Sequence, residues 1–294
     1  MIFTGIGDEA GSSLSSQITA TRELGWKYIE ARNVEIAGYP KANLHDLPEP
    51  AFESAVQQLH DAQIQILCFG STIMNWAKTV ATPFEVTLQE VQRAIPRMKT
   101  LGTQFVRIMS FKPGDQDNTI PREVIDRVKH VTQQFLDAGL QPVHENCMNY
   151  GGMSPQHALQ LLEEVPGLKW VFDTANPVFN PNRALPQPWP KQDPWEFWTA
   201  VRDHTIHIHI KDARWNHEKN DADYTFPGDG DGRVHDILRD AIQRGYSGAL
   251  SIEPHMVTVF HDPSGSKTVD ESDQRSNYIE YGRRLEKLVA SLTS

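Results

Sequence analysis

Eight short runs rich in β-branched and aromatic residues recur along the 294-residue chain, each followed by a longer amphipathic stretch. No other feature narrows its fold as far. The runs lie at 2–8, 26–32, 65–71, 105–111, 142–147, 169–175, 207–213 and 249–255, and helical spacing of apolar residues is plain between them, for example at 51–62, 121–139 and 154–165. Gly25, Gly102, Gly139 and Gly245 each close a helical pattern just before a strand, where a left-handed cap residue is needed. Gly167, after Pro166, does the same. Alternating strands and helices demand a parallel sheet, and eight units in a chain of this length predict one closed (β/α)8 barrel in the α/β class. A doubly wound nucleotide-binding sheet is the rival. Gly5 and Gly7 sit inside the first strand rather than opening a helix, with no third glycine on pattern, so no dinucleotide site is expected.

No domain boundary stands out, and the chain reads as one barrel over 1–294. Two long loops, 176–194 and 256–271, follow the sixth and eighth strands, at the end where barrels build their sites. Apolar residues at 39%, with 19 glycines besides, suffice for a sizeable core. A net charge of −10 argues against a nucleic-acid partner, because it repels phosphate backbones. Two distant cysteines argue against a disulfide scaffold or a thiolate zinc site. The N-terminus lacks the basic and apolar regions of a signal peptide, and no apolar run reaches membrane-spanning length. The expectation is a cytoplasmic protein with no membrane partner, a homo-oligomer remaining compatible with it.

Polar side chains inside apolar strands carry the chemistry, since burial without partners is costly. The fifth strand carries His144-Glu145-Asn146, the sixth ends in Asp173-Thr174-Ala175-Asn176, the seventh contains His207, His209, Lys211 and Asp212, and the eighth carries Glu253 before Pro254 and His255. Four consecutive strands thus deliver a carboxylate or imidazole at the same end. Glu145, Asp173, His209 and Glu253 would repel one another without a cation. The mixed oxygen and nitrogen set suits one divalent ion, Mn, Mg, Co or Zn, with coordination positions left for substrate oxygens. Alternation along the strand puts His207 and Lys211 on the inward face with His209. Lys211 is a candidate proton donor or oxyanion stabiliser, and His207 is either a substrate contact or a core histidine. His144 should face the helices in a structural role.

These residues together resemble the xylose isomerase-like superfamily of sugar isomerases and epimerases, which shares its barrel with endonuclease IV and inosose dehydratase. The matching pieces are His144-Glu145-Asn146, Phe172-Asp173-Thr174, the run His207 to Asp212, the turn Pro227-Gly228-Asp229-Gly230 and Ile252-Glu253-Pro254. The resemblance implies that Glu145, Asp173, His209 and Glu253 are metal ligands. It also implies that Glu145 and Glu253 are the acid/base pair that moves a proton next to a carbonyl through an enediolate. Asn176 stands where the ketose 3-epimerases carry a substrate-touching histidine. Arg214 lies one residue short of their substrate-touching arginine, and both join Lys211 and His207 as candidate substrate contacts. The expected activity is a metal-dependent isomerase or epimerase acting on a small carbohydrate or keto-polyol. The alternative is a lyase or dehydratase acting on a 3-keto-sugar, 3-keto-glycoside or inosose. An endonuclease IV-like role is disfavoured, since its further ligand positions fall on Asn176, Ala222 and Tyr224, and an inactive binding barrel would have no reason to cluster three carboxylates.

Overall fold

A computed structural model describes residues 1–257 and 270–293. Its centre is a barrel of eight parallel strands: β1 (Ile2–Gly5), β2 (Tyr28–Ala31), β3 (Gln65–Gly70), β4 (Phe105–Ile108), β5 (Gln141–Glu145), β6 (Lys169–Asp173), β7 (Thr205–Ile210) and β8 (Ala249–Ile252). The strands follow one another in chain order, and β8 returns to pair with β1. The seam between β1 and β2 is thinner. One parallel bridge joins Ile6 to Glu30, and the Thr4 hydroxyl donates to the Tyr28 carbonyl at 2.9 Å. All eight strands form at the expected places.

The flanking helices are α1 (Leu14–Glu23), α2 (Glu49–Ala62), α3 (Phe84–Leu101), α4 (Arg122–Asp137), α5 (Pro155–Glu164), α6 (Pro194–Val201), α7 (Val234–Gln243) and α8 (Glu271–Thr293). Ser154 caps α5 by accepting the His157 N–H, with Pro155 in the first turn. The five cap glycines all have positive φ, from 68° at Gly102 to 84° at Gly167. The loop 176–194 opens with a short helix, Asn176–Phe179, and is pinned across its base by a bridge between Pro181 and Lys191. Most of the other long loop, 256–271, lies outside the described residues.

Outward-facing strand residues pack against the helix layer: Phe172, Ile208, Ile210, Leu250 and Ile252 meet Trp198 of α6 and Tyr278, Tyr281 and Leu285 of α8. Each such side chain, fully buried, contributes about 1.5–3 kcal/mol. Inside the barrel, Cys68, Val143 and Val171 form a small apolar layer. Two residues further along β5 and β6 the same face presents Glu145 and Asp173. The period of a strand thus converts an apolar floor into a charged mouth.

His144 faces the helix layer, as expected. It is fully buried, its Nε2 lies 3.0 Å from the Ser110 hydroxyl, and its ring stacks on Trp170 with centroids 4.9 Å apart. Burial lowers its pKa from 6.5 to about 3. The folded state therefore binds fewer protons than the unfolded chain between those values, so this stability is complete above pH 6.5 and is lost as pH falls toward 3. The loss should approach about 1.4 kcal/mol per pH unit. Urea unfolding at pH 7 and pH 4.5 should show a smaller drop for His144→Gln than for the native chain. Equal drops would mean that this imidazole does not carry the effect.

Candidate functional site

Glu145 and Asp173 are the last residues of β5 and β6, His209 lies near the end of β7, and Glu253 follows β8. One ligating atom from each lies within 4.8 Å of those of the other three. All four side chains are nearly or fully buried. Glu145 and Glu253 line a cavity of about 170 Å³ at the barrel mouth, walled also by Asn176, Lys211, Trp76 and Met148.

The donor set fits a divalent cation. Asp173 uses Oδ1 to accept the backbone N–H groups of Ala175 and Asn176 at 2.9 and 2.8 Å, and its Oδ2 makes no hydrogen bond. That oxygen faces the Lys211 ammonium at 2.8 Å. His209 places Nε2 3.0 Å from Glu30, which leaves its buried Nδ1 unpartnered, 3.5 Å from Glu145 and 3.8 Å from Glu253. An imidazole held by a carboxylate on one nitrogen and bare on the other is how a metal-ligating histidine is oriented. The charge count agrees. Asp8, Glu9, Glu30, Glu145, Asp173 and Glu253 are buried around the mouth, against Arg32, Arg107, Lys211 and the imidazole of His209.

Burial pushes the pKa of Glu145, Asp173 and Glu253 up, and the neighbours decide the outcome. For Glu145 the Arg107 guanidinium at 2.9 Å, with His209, overcomes burial and holds the carboxyl at about 2. For Asp173 burial wins over Lys211, with Glu253 and Glu145 adding repulsion, and the value rises to about 7. Glu253, beside Lys211, His255 and Arg32, stays well below the usual range despite burial. His209 is lifted to about 10 against burial by Glu30 and Glu145.

The other expected contacts divide. Lys211 reaches the mouth between Asp173 and Glu253, and Asn176 donates to Glu145 at 3.1 Å. His207 does not reach the cavity. It is buried deeper in the barrel, with Nε2 2.9 Å from Glu30, because Glu30 and Ser251 fill the layer beneath the mouth. Arg214 is exposed on the hairpin Asp212–Asn216/Asp221–Thr225 and donates to the Asp229 carbonyl, away from the cavity, because the chain leaves the barrel axis after Lys211.

Three charged residues on earlier strands belong to the same network and were not expected. Glu30 joins His207, His209 and Ser251; Arg32 donates to Asp8, Glu9 and Glu253; and Arg107 donates to Glu145. The signal that exposes the other four, a charge inside an apolar strand, is also present at Glu30 and Arg107. His255 sits at φ 52°, a strained conformation for a non-glycine residue. Glu9 holds it there by accepting its backbone N–H at 3.1 Å and meeting Nδ1 at 2.8 Å.

The sequence matches the family model of the xylose isomerase-like TIM barrel over residues 18–275. No curated protein matches it. Among solved structures, a probable 3-DHS dehydratase from Bacillus anthracis is 15% identical, with a TM-score of 0.69 over 97% of this chain and 99% of that one. A xylose isomerase-like TIM barrel protein from Mycobacterium smegmatis, in complex with magnesium, is 16% identical with a TM-score of 0.64, covering 98% and 97%. A D-allulose 3-epimerase from Methylomonas sp., in complex with D-allulose, is 14% identical with a TM-score of 0.63, covering 97% and 96%. Such identities establish a shared fold.

The turn after the hairpin has its own physical cause. Asp212 points both carboxylate oxygens into the backbone, accepting N–H groups from Gly228 and Gly230 on Oδ2 and from Ala213 and Gly232 on Oδ1, each at 2.9 Å. A Cβ on Gly230 would stand 2.3 Å from Asp212 Oδ1 and 2.7 Å from the Ala213 backbone, so the glycine is required. Asp212→Ala leaves buried amides unpaired, at about 1–3 kcal/mol for each that water cannot reach. Denaturant unfolding should show a loss of at least about 2 kcal/mol for Asp212→Ala and for Gly230→Val. A neutral result for both would separate the turn from the stability of the barrel.

Proposed function

The chain belongs to the xylose isomerase-like TIM barrel family, and from that premise we propose that it is a metal-dependent sugar or keto-polyol isomerase or epimerase. The observation that carries the reading is the convergence of Glu145, Asp173, His209 and Glu253 within 4.8 Å, with His209 Nδ1 making no hydrogen bond and Asp173 Oδ2 met only by the Lys211 ammonium at 2.8 Å. These four residues would hold one divalent ion. Glu145 is ionised at neutral pH, and a carboxylate this acidic is a weak base, so the substrate C–H must itself be made acidic. Polarising the carbonyl oxygen is the chemistry a divalent ion supplies.

The chain's own groups do the rest. One of Glu145 and Glu253 takes the proton next to the carbonyl, and the C–H electron pair moves onto the substrate as an enediolate. The return proton reaches the carbon from the opposite side through the other glutamate, which carries it only for that half of the step; at Glu253 it is drawn from the Lys211 ammonium 3.2 Å away. Arg107 and Arg32 orient the two carboxyl groups and keep the one acting as base ionised, and Lys211 carries a proton that can pass to Glu253 or neutralise a developing oxyanion. A β-elimination would begin with the same proton removal and end in an unsaturated product.

Treatment with a chelator should abolish turnover, and Asp173→Asn or His209→Ala should lower metal content and activity together. Activity that survives chelation would refute the role given to the ion. Glu145→Gln and Glu253→Gln should each cut solvent-deuterium incorporation into recovered substrate by at least about 100-fold while substrate still binds. Across a panel of ketoses, inososes and keto-glycosides, deuterium in the recovered sugar marks an isomerase or epimerase, and an unsaturated product or a released aglycone marks a lyase. Neither result with any of them would remove the proton-abstraction reading.

A further inference from the structure

We propose that a second chamber beside the mouth binds an apolar, flat substituent of the substrate, so that the physiological ligand is a sugar unit bearing an aromatic-type group rather than a free sugar. The inference rests on the reading of the mouth as a sugar site. The chamber has a volume of about 390 Å³, more than twice that of the mouth cavity, and shares Trp76, Cys147 and Met148 with it. The two cavities therefore adjoin along one wall. The first cavity is lined by charge; the second is bounded chiefly by Trp76, Pro113, Met148, Met153 and Pro181. Trp76 offers a ring face and the two methionines an adaptable apolar surface.

One polar group points to a bound partner. The Asn180 side chain is 7% exposed, lies on the chamber wall, and its Nδ2 has no hydrogen-bond partner among the described residues. An unpaired buried donor is costly unless a ligand acceptor meets it. Its backbone is fixed, for Asn180 N–H donates to Asn176 and Asn180 C=O accepts from Gln192, both at 3.0 Å. The residue is therefore fixed at the chamber wall, where a small rotation of its amide would bring the donor to an oxygen on the ligand. Arg183, also on the wall, is already committed: it donates to the carbonyls of Gly114 and Asp117 at 2.6 and 2.8 Å and lies over Trp189. The occupant therefore presents an apolar body with an oxygen acceptor. A bare monosaccharide would leave the larger chamber filled by water against an apolar wall, which is unfavourable.

Calorimetric titration of the magnesium-loaded protein with 4-nitrophenyl β-D-glucoside and with methyl β-D-glucoside tests this. The aryl glycoside should bind at least about tenfold more tightly, the effect of burying roughly 60 Å² of apolar surface. Met153→Trp, which fills the chamber, should erase that ratio while leaving the methyl glycoside unchanged. Asn180→Leu, should the larger substitution fail to fold, should reduce the ratio at least about threefold. Equal affinities for the two glycosides, or no binding of either, overturn the chamber proposal. A failure of deuterium exchange with every substrate instead overturns the sugar-enzyme reading and is separable from the glycoside ratio.

Discussion

Buried negative charge at the mouth of the barrel governs this molecule. Among the described residues six carboxyl groups crowd a space where Arg32, Arg107, Lys211 and the imidazole of His209 answer them, and a carboxylate taken from water is stable only with partners. The consequences reach beyond the candidate ligands. Arg32 is recruited to Asp8, Glu9 and Glu253, Arg107 to Glu145, and Lys211 to Asp173 and Glu253, so each cation is placed by the acids rather than by its own loop. Removing one partner from such a pair costs about 3–5 kcal/mol, because the survivor is left charged and dry. His209 Nδ1, without a hydrogen bond, and Asp173 Oδ2, met only by the Lys211 ammonium, are the atoms proposed to face the ion.

The barrel supplies that arrangement cheaply. A strand shows alternate residues to the interior, so an apolar pair such as Val143 and Val171 is followed, two positions on, by Glu145 and Asp173. Backbone amides just beyond β6 then hold one oxygen of Asp173, and Glu30 holds one nitrogen of His209. The site is rigid on its supporting side and bare on its working side. The same economy appears at Asp212, whose carboxylate organises three glycine amides and fixes how the chain leaves the barrel.

Much of this was legible in the sequence because it is periodic or local. Strand and helix periods place all eight strands, and positive-φ glycines mark their helix ends. The convergence of Glu145, Asp173, His209 and Glu253 is legible once a barrel is assumed, since residues at equivalent strand ends must meet. What stayed hidden depends on distances across the barrel. Glu30 lies more than 170 residues from His207, and nothing local says that they touch. Arg214 reads as a neighbour of the ligand histidine, yet the chain turns outward at Asp212 and carries it to the surface. The Asn180 donor is also invisible in sequence, because only the packed loop shows that it lacks a partner.

The thin seam between β1 and β2 has a consequence for how the barrel breathes. Backbone pairing there is a single bridge, yet Arg32, just past β2, is clamped to Asp8 and Glu9, just past β1, and to Glu253, just past β8. The staple that holds the weakest joint of the wall is made from the groups that flank the candidate centre. A fluctuation that parts these two strands acts on Arg32, and so on the Glu253 carboxylate that pairs with it beside Lys211 and His209. Opening of the fold and loosening of the site are therefore coupled, and whatever steadies the ring of charges also acts as the clasp of the barrel.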